Sequence, residues 1–400
     1  MKAIPLFLLT VLLSTAMLTQ CDTLGPDPKT KDIQLDQNFA NATGDFSFDF
    51  IKTLEKEEQD KNFFVSPLSL HMALGMLLNG SDNSSEDQLL KTLKLEGFDR
   101  STINDSYTNL ISNLPNVDPR VKNLLANSVW QRQDFPVEQS FKDVMSNAFK
   151  ADFYEEPFDG STLNKINNWA SDNTNGKIRK VLDQISGDAV MFLMNALYFK
   201  GDWTQEFDPK STQKASFDGT GQVDMMSKLD TFAYAKMDGY KALNMPYGGG
   251  NYQMRVLLPD DGNVNALINK LNLTEWKAIS SQQAVQKVQV GFPKFKMEYE
   301  KELNDVLVNM GMPVLFSPDA DLSKISPPAG KIQVSFVKQN AFVEVDEKGT
   351  EAAAVTTIGI ELTSAPIYES FYCDKPFLFF IYEKSSGTIQ FVGKVLNPAS

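Results

Sequence analysis

Histidine and cysteine are almost absent from this 400-residue chain, which has one histidine, His71, and two cysteines, Cys21 and Cys373. A Ser-His-Asp triad needs a histidine beside its serine, and His71 lies in an apolar stretch that predicts a buried helix. A zinc site needs three or four clustered His, Cys or carboxylate ligands, and the sequence has no such cluster. We therefore expect no catalytic triad, no metal and no cofactor, and we interpret His71 as a packed or capping residue.

Long basic runs and long apolar runs are also lacking. The formal net charge of −13 argues against a nucleic-acid partner or an anionic lipid surface. No apolar stretch after residue 25 is long enough to span a bilayer. A hydrolase that uses serine or a carboxylate pair is disfavoured, because no carboxylate pair stands out and the single histidine has no partner motif.

The N-terminus has the pattern of a targeting segment. Lys2 provides a basic start, and an apolar run follows at residues 4–18. Residues 18–21, Leu-Thr-Gln-Cys, resemble the lipobox of bacterial lipoproteins, although Gln20 replaces the usual small residue. This resemblance implies cleavage before Cys21 and a lipid on that cysteine. The alternative is an ordinary secretion signal that is cut nearby.

These features predict a signal peptide at residues 1–20 and a polar, proline-containing linker or stalk at residues 21–40. We expect an extracytoplasmic protein, a lipoprotein of the outer membrane or cell surface, or otherwise a secreted or periplasmic one. Membrane contact is then expected only through the lipid anchor. If Cys21 carries lipid, Cys373 has no partner for a disulfide within the chain.

Helical patterns come first along the chain and strand patterns come later, which predicts an α+β fold. A first helix is expected near Asp45, and Ser66 with Pro67 is typical of a helix start. Helical patterns dominate residues 86–185. Residues 190–199 are apolar on both faces, which indicates a strand in the middle of a covered sheet. Further strands are expected at residues 253–258, 287–292, 332–337, 341–345, 378–382 and 389–395.

Five segments resemble serpin signatures in order and spacing, over about residues 40–398. They are residues 62–69, 195–203, 207–209, 341–354 and 376–381. The resemblance implies a single serpin domain at residues 41–400, with helices packed around three β-sheets and an exposed reactive-centre loop. It also implies a monomer that is not an enzyme but an inhibitor of serine-type endopeptidases.

The segment from Gly349 to Thr363 alternates like a strand. One face carries no charge, whereas the other carries both glutamates, Glu351 and Glu361. The uncharged face consists of Thr350, Ala352, Ala354, Thr356, Ile358, Ile360 and Leu362. In serpins such a loop is exposed to the protease, is cleaved, and then enters the large sheet as an added strand while the protease stays covalently attached.

The resemblance also implies roles for individual residues. The hinge of the loop consists of Glu347, Gly349, Thr350, Glu351, Ala352, Ala353 and Ala354. Lys294 is expected to form a salt bridge with Glu347, and Trp203 to lie under the point where insertion begins. A buried polar cluster beneath the middle of the sheet is expected from Ser66, Ser69, Asn195 and Gln339, where Gln339 replaces the family's usual histidine.

Counting along the loop by the family's usual spacing places the cleaved bond between Thr363 and Ser364. Thr363 suits elastase-like pockets, and Leu362 suits chymotrypsin-like or subtilisin-like pockets. No lysine or arginine occurs between Gly349 and Asp374, so trypsin-like enzymes are not expected targets. A non-inhibitory serpin that acts as a binding or carrier protein is the alternative, but the small residues of the hinge favour inhibition.

Overall fold

The structure is a computed structural model that describes residues 29–219, 221–326, 332–350 and 368–399. The first helix, α1 (Gln37–Glu55), begins earlier than expected, because the Asp36 side chain accepts hydrogen bonds from the amides of Asn38 and Phe39. The other helices are α2 (Pro67–Gly80), α3 (Asn83–Thr92), α4 (Arg100–Asn113), α5 (Gln139–Asn147), α6 (Gly160–Asn173), α7 (Val264–Lys270), α8 (Leu273–Gln282) and α9 (Asn304–Asn309).

Helix α2 starts as the sequence predicts and carries the single histidine. The Ser66 hydroxyl accepts from the Ser69 amide, and Pro67 occupies the first turn. His71 is buried, and its ring nitrogens lie 3.1 Å from the Leu93 carbonyl oxygen and 2.9 Å from the Tyr107 hydroxyl. Burial lowers the pKa of His71 to about 4. The interpretation of His71 as a packed residue is confirmed.

The strands occupy more of the chain than expected. They are β1 (Phe63–Val65), β2 (Val121–Arg132), β3 (Asp152–Glu156), β4 (Met191–Asp202), β5 (Gln213–Phe217), β6 (Gly221–Met237), β7 (Tyr240–Tyr247), β8 (Tyr252–Pro259), β9 (Ala284–Pro293), β10 (Phe295–Glu302), β11 (Lys338–Val345), β12 (Gly349–Thr350), β13 (Glu369–Tyr372), β14 (Phe377–Glu383) and β15 (Ile389–Val395). Two of them, β2 and β3, interrupt the region that was expected to be helical. The sequence of β2 is half polar, so it did not stand out as a strand.

The prediction of a strand at residues 332–337 is wrong. Its backbone bonds elsewhere, since the Val334 amide donates to the Leu315 carbonyl and the Val337 amide to the Asn304 side chain. The strand that follows begins only at Lys338. Hydrogen bonds to the first residue of α9 and to the 3₁₀ turn Val314–Phe316 therefore replace the pairing that the apolar pattern suggested.

The described strands form two hydrogen-bonded sheets, where three were predicted. One has six strands in the order β10-β11-β12-β4-β2-β3, and the other has nine, β1-β15-β14-β8-β7-β6-β9-β13 with β5 also on β6. Strand β6 pairs with β5 through residues 221–225 and with β7 through residues 233–237. One continuous strand thus joins regions that would otherwise count as separate sheets.

Residues 29–36, predicted to belong to the linker, are packed against the domain. Ile33 is 3% exposed, and the Lys31 amide donates to the Val117 carbonyl. The packed domain therefore includes residues 29–40 as well, because an apolar side chain in this polar stretch lies in the core.

Within the described ranges, no helix is long and apolar enough to cross a membrane. Cys373 is a free thiol that is buried, and burial raises its pKa well above the usual value. Cys21 lies outside the described residues.

Candidate insertion site in the six-stranded sheet

In the part of the chain that the structure describes, the six-stranded sheet has no strand between most of β4 and most of β11. Strand β12 joins β4 through Thr350 opposite Gly201, and it joins β11 through Thr350 opposite Val345. Farther from β12, strand β4 pairs with β2 and strand β11 pairs with β10. In each case the pairing uses the edge that faces away from the other strand of this pair, β11 or β4. Among the described residues no strand pairs with the facing edges, residues 191–200 and 338–344. We call this region the strand gap.

A cavity of about 530 Å³ lies beside the strand gap. Residues of α2, β4 and β11 line it, together with residues from 332 to 337 and from the end of α6. Most of the lining side chains are apolar, and the polar ones include Asn195, Gln339 and the charged residues Asp188 and Lys338. An added strand would therefore meet two backbone edges that no described strand pairs with, and a mostly apolar surface to bury.

The hinge glutamate binds the predicted partner. The Lys294 ammonium donates to Glu347 Oε2 at 2.8 Å, and the Thr212 hydroxyl donates to Oε1 at 2.8 Å. Burial acts to raise the pKa of Glu347, but the hydrogen bonds from Lys294 and Thr212 outweigh it and hold the pKa below its usual value. Glu347 is therefore ionised at neutral pH and holds the start of the loop to β9 and β10.

A tight turn precedes β12. The Asp346 amide donates to the Gly349 carbonyl, and the Asp346 carboxylate accepts from the amides of Lys348 and Gly349. Gly349 approaches the backbone of β4 so closely that a Cβ atom there would lie 2.1 Å from the carbonyl oxygen of Gly201. Only glycine fits at this position, because any side chain would displace β12 from β4.

Trp203 lies under the hinge as predicted. Its indole N–H donates to the Asp346 carbonyl at 3.0 Å, and its amide donates to the Lys348 carbonyl at 2.6 Å. The indole stacks on Tyr247 with ring centroids 4.4 Å apart. The Tyr247 hydroxyl in turn lies 2.7 Å from the Thr350 hydroxyl, which is buried. Sequence reasoning missed Thr212 and Tyr247, since neither stands in a motif.

The four residues of the predicted polar cluster fall into two groups. Gln339 Nε2 donates to the Ser66 carbonyl, and Gln339 Oε1 accepts from the Ser66 amide, both at 2.9 Å. The Ser66 hydroxyl donates to the Gln390 carbonyl at 2.7 Å. Ser69 joins this group through its amide. Gln339 uses its donor and its acceptor at once, so a neutral amide ties β11 to the start of α2.

Asn195 belongs to the second group. Its amide donates to Asn127 Oδ1 at 2.7 Å, and Asn127 donates to the Phe149 carbonyl at 2.7 Å. Asn195 Oδ1 is buried and accepts no hydrogen bond from the described residues. Asn127 was missed, although it lies directly opposite Asn195 in the pairing of β2 with β4. Only the register of that pairing brings the two asparagines together.

The rest of the predicted loop lies outside the described residues. This applies to Glu351, Ala352, Ala353 and Ala354 of the hinge, and to Leu362, Thr363 and Ser364 at the reactive bond. The described site therefore consists of the strand gap and the hinge residues up to Thr350.

Comparison with known families settles the class of protein. The family model described as Serpin (serine protease inhibitor) matches residues 41–398. The chain is a serpin. Human Serpin B4 is 32% identical over 393 residues, which cover 90% of this chain and all of that protein.

Solved serpin structures resemble this structure closely. The native state of tengpin, a thermophilic serpin, has a TM-score of 0.84 and 31% sequence identity, and the match covers 92% of this chain and 96% of that one. Human thyroxine-binding globulin in complex with its ligand has a TM-score of 0.81 and 26% identity, over 90% of this chain and 99% of that one. The predicted α+β serpin fold is confirmed. Serpins are mostly protease inhibitors, and inhibitory members act on target proteases.

Proposed function

We propose that this serpin is a monomeric, irreversible suicide-substrate inhibitor of serine proteases. The strand gap is the observation that carries the proposal. Within the described residues it offers two strand edges that no other strand pairs with, beside a cavity with a mostly apolar lining. Insertion of the loop there would make ladder hydrogen bonds and bury apolar surface that no described strand covers.

In the proposed reaction the protease serine attacks the carbonyl carbon of Thr363. An ester forms between that serine oxygen and Thr363, the peptide bond to Ser364 breaks, and the Ser364 nitrogen takes a proton and leaves as an amine. Loop insertion then carries the acylated protease along the sheet before water hydrolyses the ester. The product is a covalent complex rather than a cleaved substrate.

The register at β12 supports this sequence of events. Thr350 lies opposite Gly201, so a continuing antiparallel strand would set Ala352 opposite Phe199 and Ala354 opposite Leu197. Phe199 and Leu197 belong to the main hydrophobic core. Small uncharged side chains on that face of the loop fit the need to slide between packed strands.

Proteases of different specificity provide the direct test. We expect SDS-resistant complexes with elastase-like enzymes first and with chymotrypsin-like or subtilisin-like enzymes second, and none with trypsin. The control is each protease with its active-site serine blocked. Mass spectrometry of the released C-terminal fragment identifies the bond, and a fragment that begins at Thr363 or Ser364 supports the assignment. Strong trypsin inhibition, or cleavage outside residues 360–369, contradicts it.

A carrier function is the second candidate, because human thyroxine-binding globulin shares this fold at 26% identity. Absence of any covalent complex, with the loop cleaved like an ordinary substrate, favours that candidate. The small hinge residues Ala352, Ala353 and Ala354 favour inhibition, since strand addition needs a narrow, uncharged face.

We further propose that the serpin is extracytoplasmic and is anchored by a lipid on Cys21. The support is the lipobox-like sequence at residues 18–21. In the native host, Cys21→Ala should move the protein from the membrane fraction to the soluble fraction. If the variant still fractionates with membranes, the anchor lies elsewhere.

A further inference from the structure

The segment before α1, residues 29–36, crosses between two parts of the molecule. We call it the N-terminal strap. On one side the Lys31 amide donates to the Val117 carbonyl at 2.8 Å, and Asn109 Nδ2 donates to the Gln34 carbonyl at 2.6 Å. Val117 belongs to the connection that runs from α4 into β2, and Asn109 lies in α4 itself. The strap is thus fastened to α4 and to the segment that leads into β2.

On the other side the strap is fastened to two turns of the nine-stranded sheet. Asn251 Nδ2, in the turn from β7 to β8, donates to the Lys31 carbonyl at 3.0 Å and lies 3.2 Å from Asp32 Oδ1. The Ile33 amide donates to the Ser385 hydroxyl, in the turn from β14 to β15, at 2.8 Å. Two separate turns therefore hold the same short segment.

The turn that receives Ile33 is built to be rigid. Glu383 is fully buried, and its carboxylate accepts hydrogen bonds from the amides and hydroxyls of Ser385 and Ser386. The Ser385 hydroxyl thus donates to Glu383 while it accepts from Ile33. The Ile33 side chain is 3% exposed and belongs to the main core. The strap is therefore bound to a turn whose side chains are already held by hydrogen bonds.

The β7–β8 turn is shaped to receive the strap. A Cβ atom at Gly249 would lie 2.4 Å from the Thr30 side chain, so the glycine allows close approach. The Gly249 amide donates to the buried carboxylate of Asp118, next to Val117. The strap and Asp118 together tie the start of β2 to the same turn.

The position of the start of β2 affects the strand gap, because β2 and β4 are paired along most of their length. Their pairing extends from Val121 opposite Gly201 to Gln131 opposite Met191. Strand β4 forms one edge of the strand gap, so widening the gap requires this unit to shift relative to the rest of the molecule. A segment that ties β2 to the nine-stranded sheet opposes that shift.

We propose that the N-terminal strap restrains the β2–β4 unit and so sets how long the intact, insertion-competent form survives. The inference rests on the proposed inhibitory function for its consequence, because early gap opening would let the uncleaved loop insert and the inhibitor inactivate itself. The strap precedes the residues that the family model matches, 41–398.

The test is the rate at which the intact full-length protein loses complex formation at 37 °C. Ile33→Ser removes the buried side chain, and Asn251→Ala removes two contacts to the strap without touching the core. Gln34→Ser is the matched control, because the Gln34 side chain is exposed and its bond to Asn109 uses the backbone. Complex formation is measured at intervals with an elastase-like protease, and each inactivated sample is melted.

We expect Ile33→Ser to speed inactivation by roughly tenfold, the order expected from losing most of the burial of one aliphatic side chain. Asn251→Ala should speed it by a few fold, and Gln34→Ser should stay within about twofold of the wild type. The inactivated protein should melt above the intact protein. Equal rates in Ile33→Ser and Gln34→Ser overturn the proposal, and so does inactivated protein that melts lower, which would indicate simple unfolding.

The two proposals can fail separately. If the wild type forms no complex with any protease, the inhibitory function is wrong. The strap is then judged by the rate of conversion to a urea-resistant form on native gels, with the same three variants. No difference among them in that assay contradicts the strap as well.

Discussion

The hinge and the middle of the strand gap differ in how completely their groups are paired. At the hinge, Glu347 binds Lys294 and Thr212, and the indole of Trp203 donates to the turn. In the middle, Asn195 keeps a buried oxygen without a partner in the described residues, beside a cavity of about 530 Å³. Among the described residues, burial and hydrogen bonding are thus more complete at the hinge than in the middle of the sheet, and the hinge is where the proposed insertion would start.

Insertion of the cleaved loop into the strand gap should have the largest effect on the stability of the protein. Cleavage of the loop between residues 360 and 369 by a non-target protease should raise the melting temperature by roughly 20 °C, because about ten inserted residues each add on the order of 1 kcal/mol. Differential scanning calorimetry of intact and cleaved protein measures it. Equal melting temperatures would mean that the gap does not accept the loop.

A charge on the face of the loop that is proposed to enter the strand gap should have the second-largest effect, and the stoichiometry of inhibition should show it. Ala354→Arg should turn the inhibitor into a substrate and raise the stoichiometry of inhibition more than about fivefold, because a buried unpaired charge costs several kcal/mol. Ala353→Arg, on the opposite face of the strand pattern, is the control and should have a small effect. Thr350 is a poorer test, since it is already buried in the intact protein. Similar stoichiometries for the two arginine variants would refute the assignment of faces.

A fall in pH should lower the free energy of unfolding through His71, which lies outside both the hinge and the strand gap. The pKa of buried His71 is about 4 in the folded protein, below its ordinary 6.5, so the neutral ring contributes stability above pH 6.5 that is lost as the pH falls toward 4. Between pH 7 and pH 5 we expect a loss of about 2 kcal/mol from this residue. Urea unfolding at both pH values, compared with His71→Gln, measures it. The same loss in the variant would assign the effect to other groups.

The ion pair between Glu347 and Lys294 should make the smallest contribution to the stability of the intact form. Glu347→Gln should lower the stability of the intact form by about 1 kcal/mol, since it weakens two hydrogen bonds in a partly exposed pair. The folded-state pKa of Glu347 is below 4.5, so its contribution is present above pH 4.5 and is lost as the pH falls through the lowered value. Glu344→Gln is the control, because its carboxylate is 41% exposed and lies 3.6 Å from Lys177. An equal loss at Glu344 would deny the hinge pair any special role.

Sequence motifs singled out Glu347, Lys294 and Trp203 because each stands in a segment that resembles a family signature. The pairing of Glu347 with Lys294 and the place of Trp203 match the prediction, whereas Thr212 and Tyr247 carried no signal. The polar cluster was predicted less well. Its members come from distant strands, and only the registers decide which side chains meet.

The sequence alone determined the class of fold and the alternation that leaves one face of residues 349–363 uncharged, since these depend on residue type and local spacing. It also specified that the single histidine would be packed in a helix. Tertiary structure alone decided that Asn195 meets Asn127, that Gln339 bonds the backbone of Ser66, and that residues 29–36 hold β2 to the far turns. Those contacts join residues that are far apart in the chain, and local preference carries no information about which distant partner will satisfy a buried polar group.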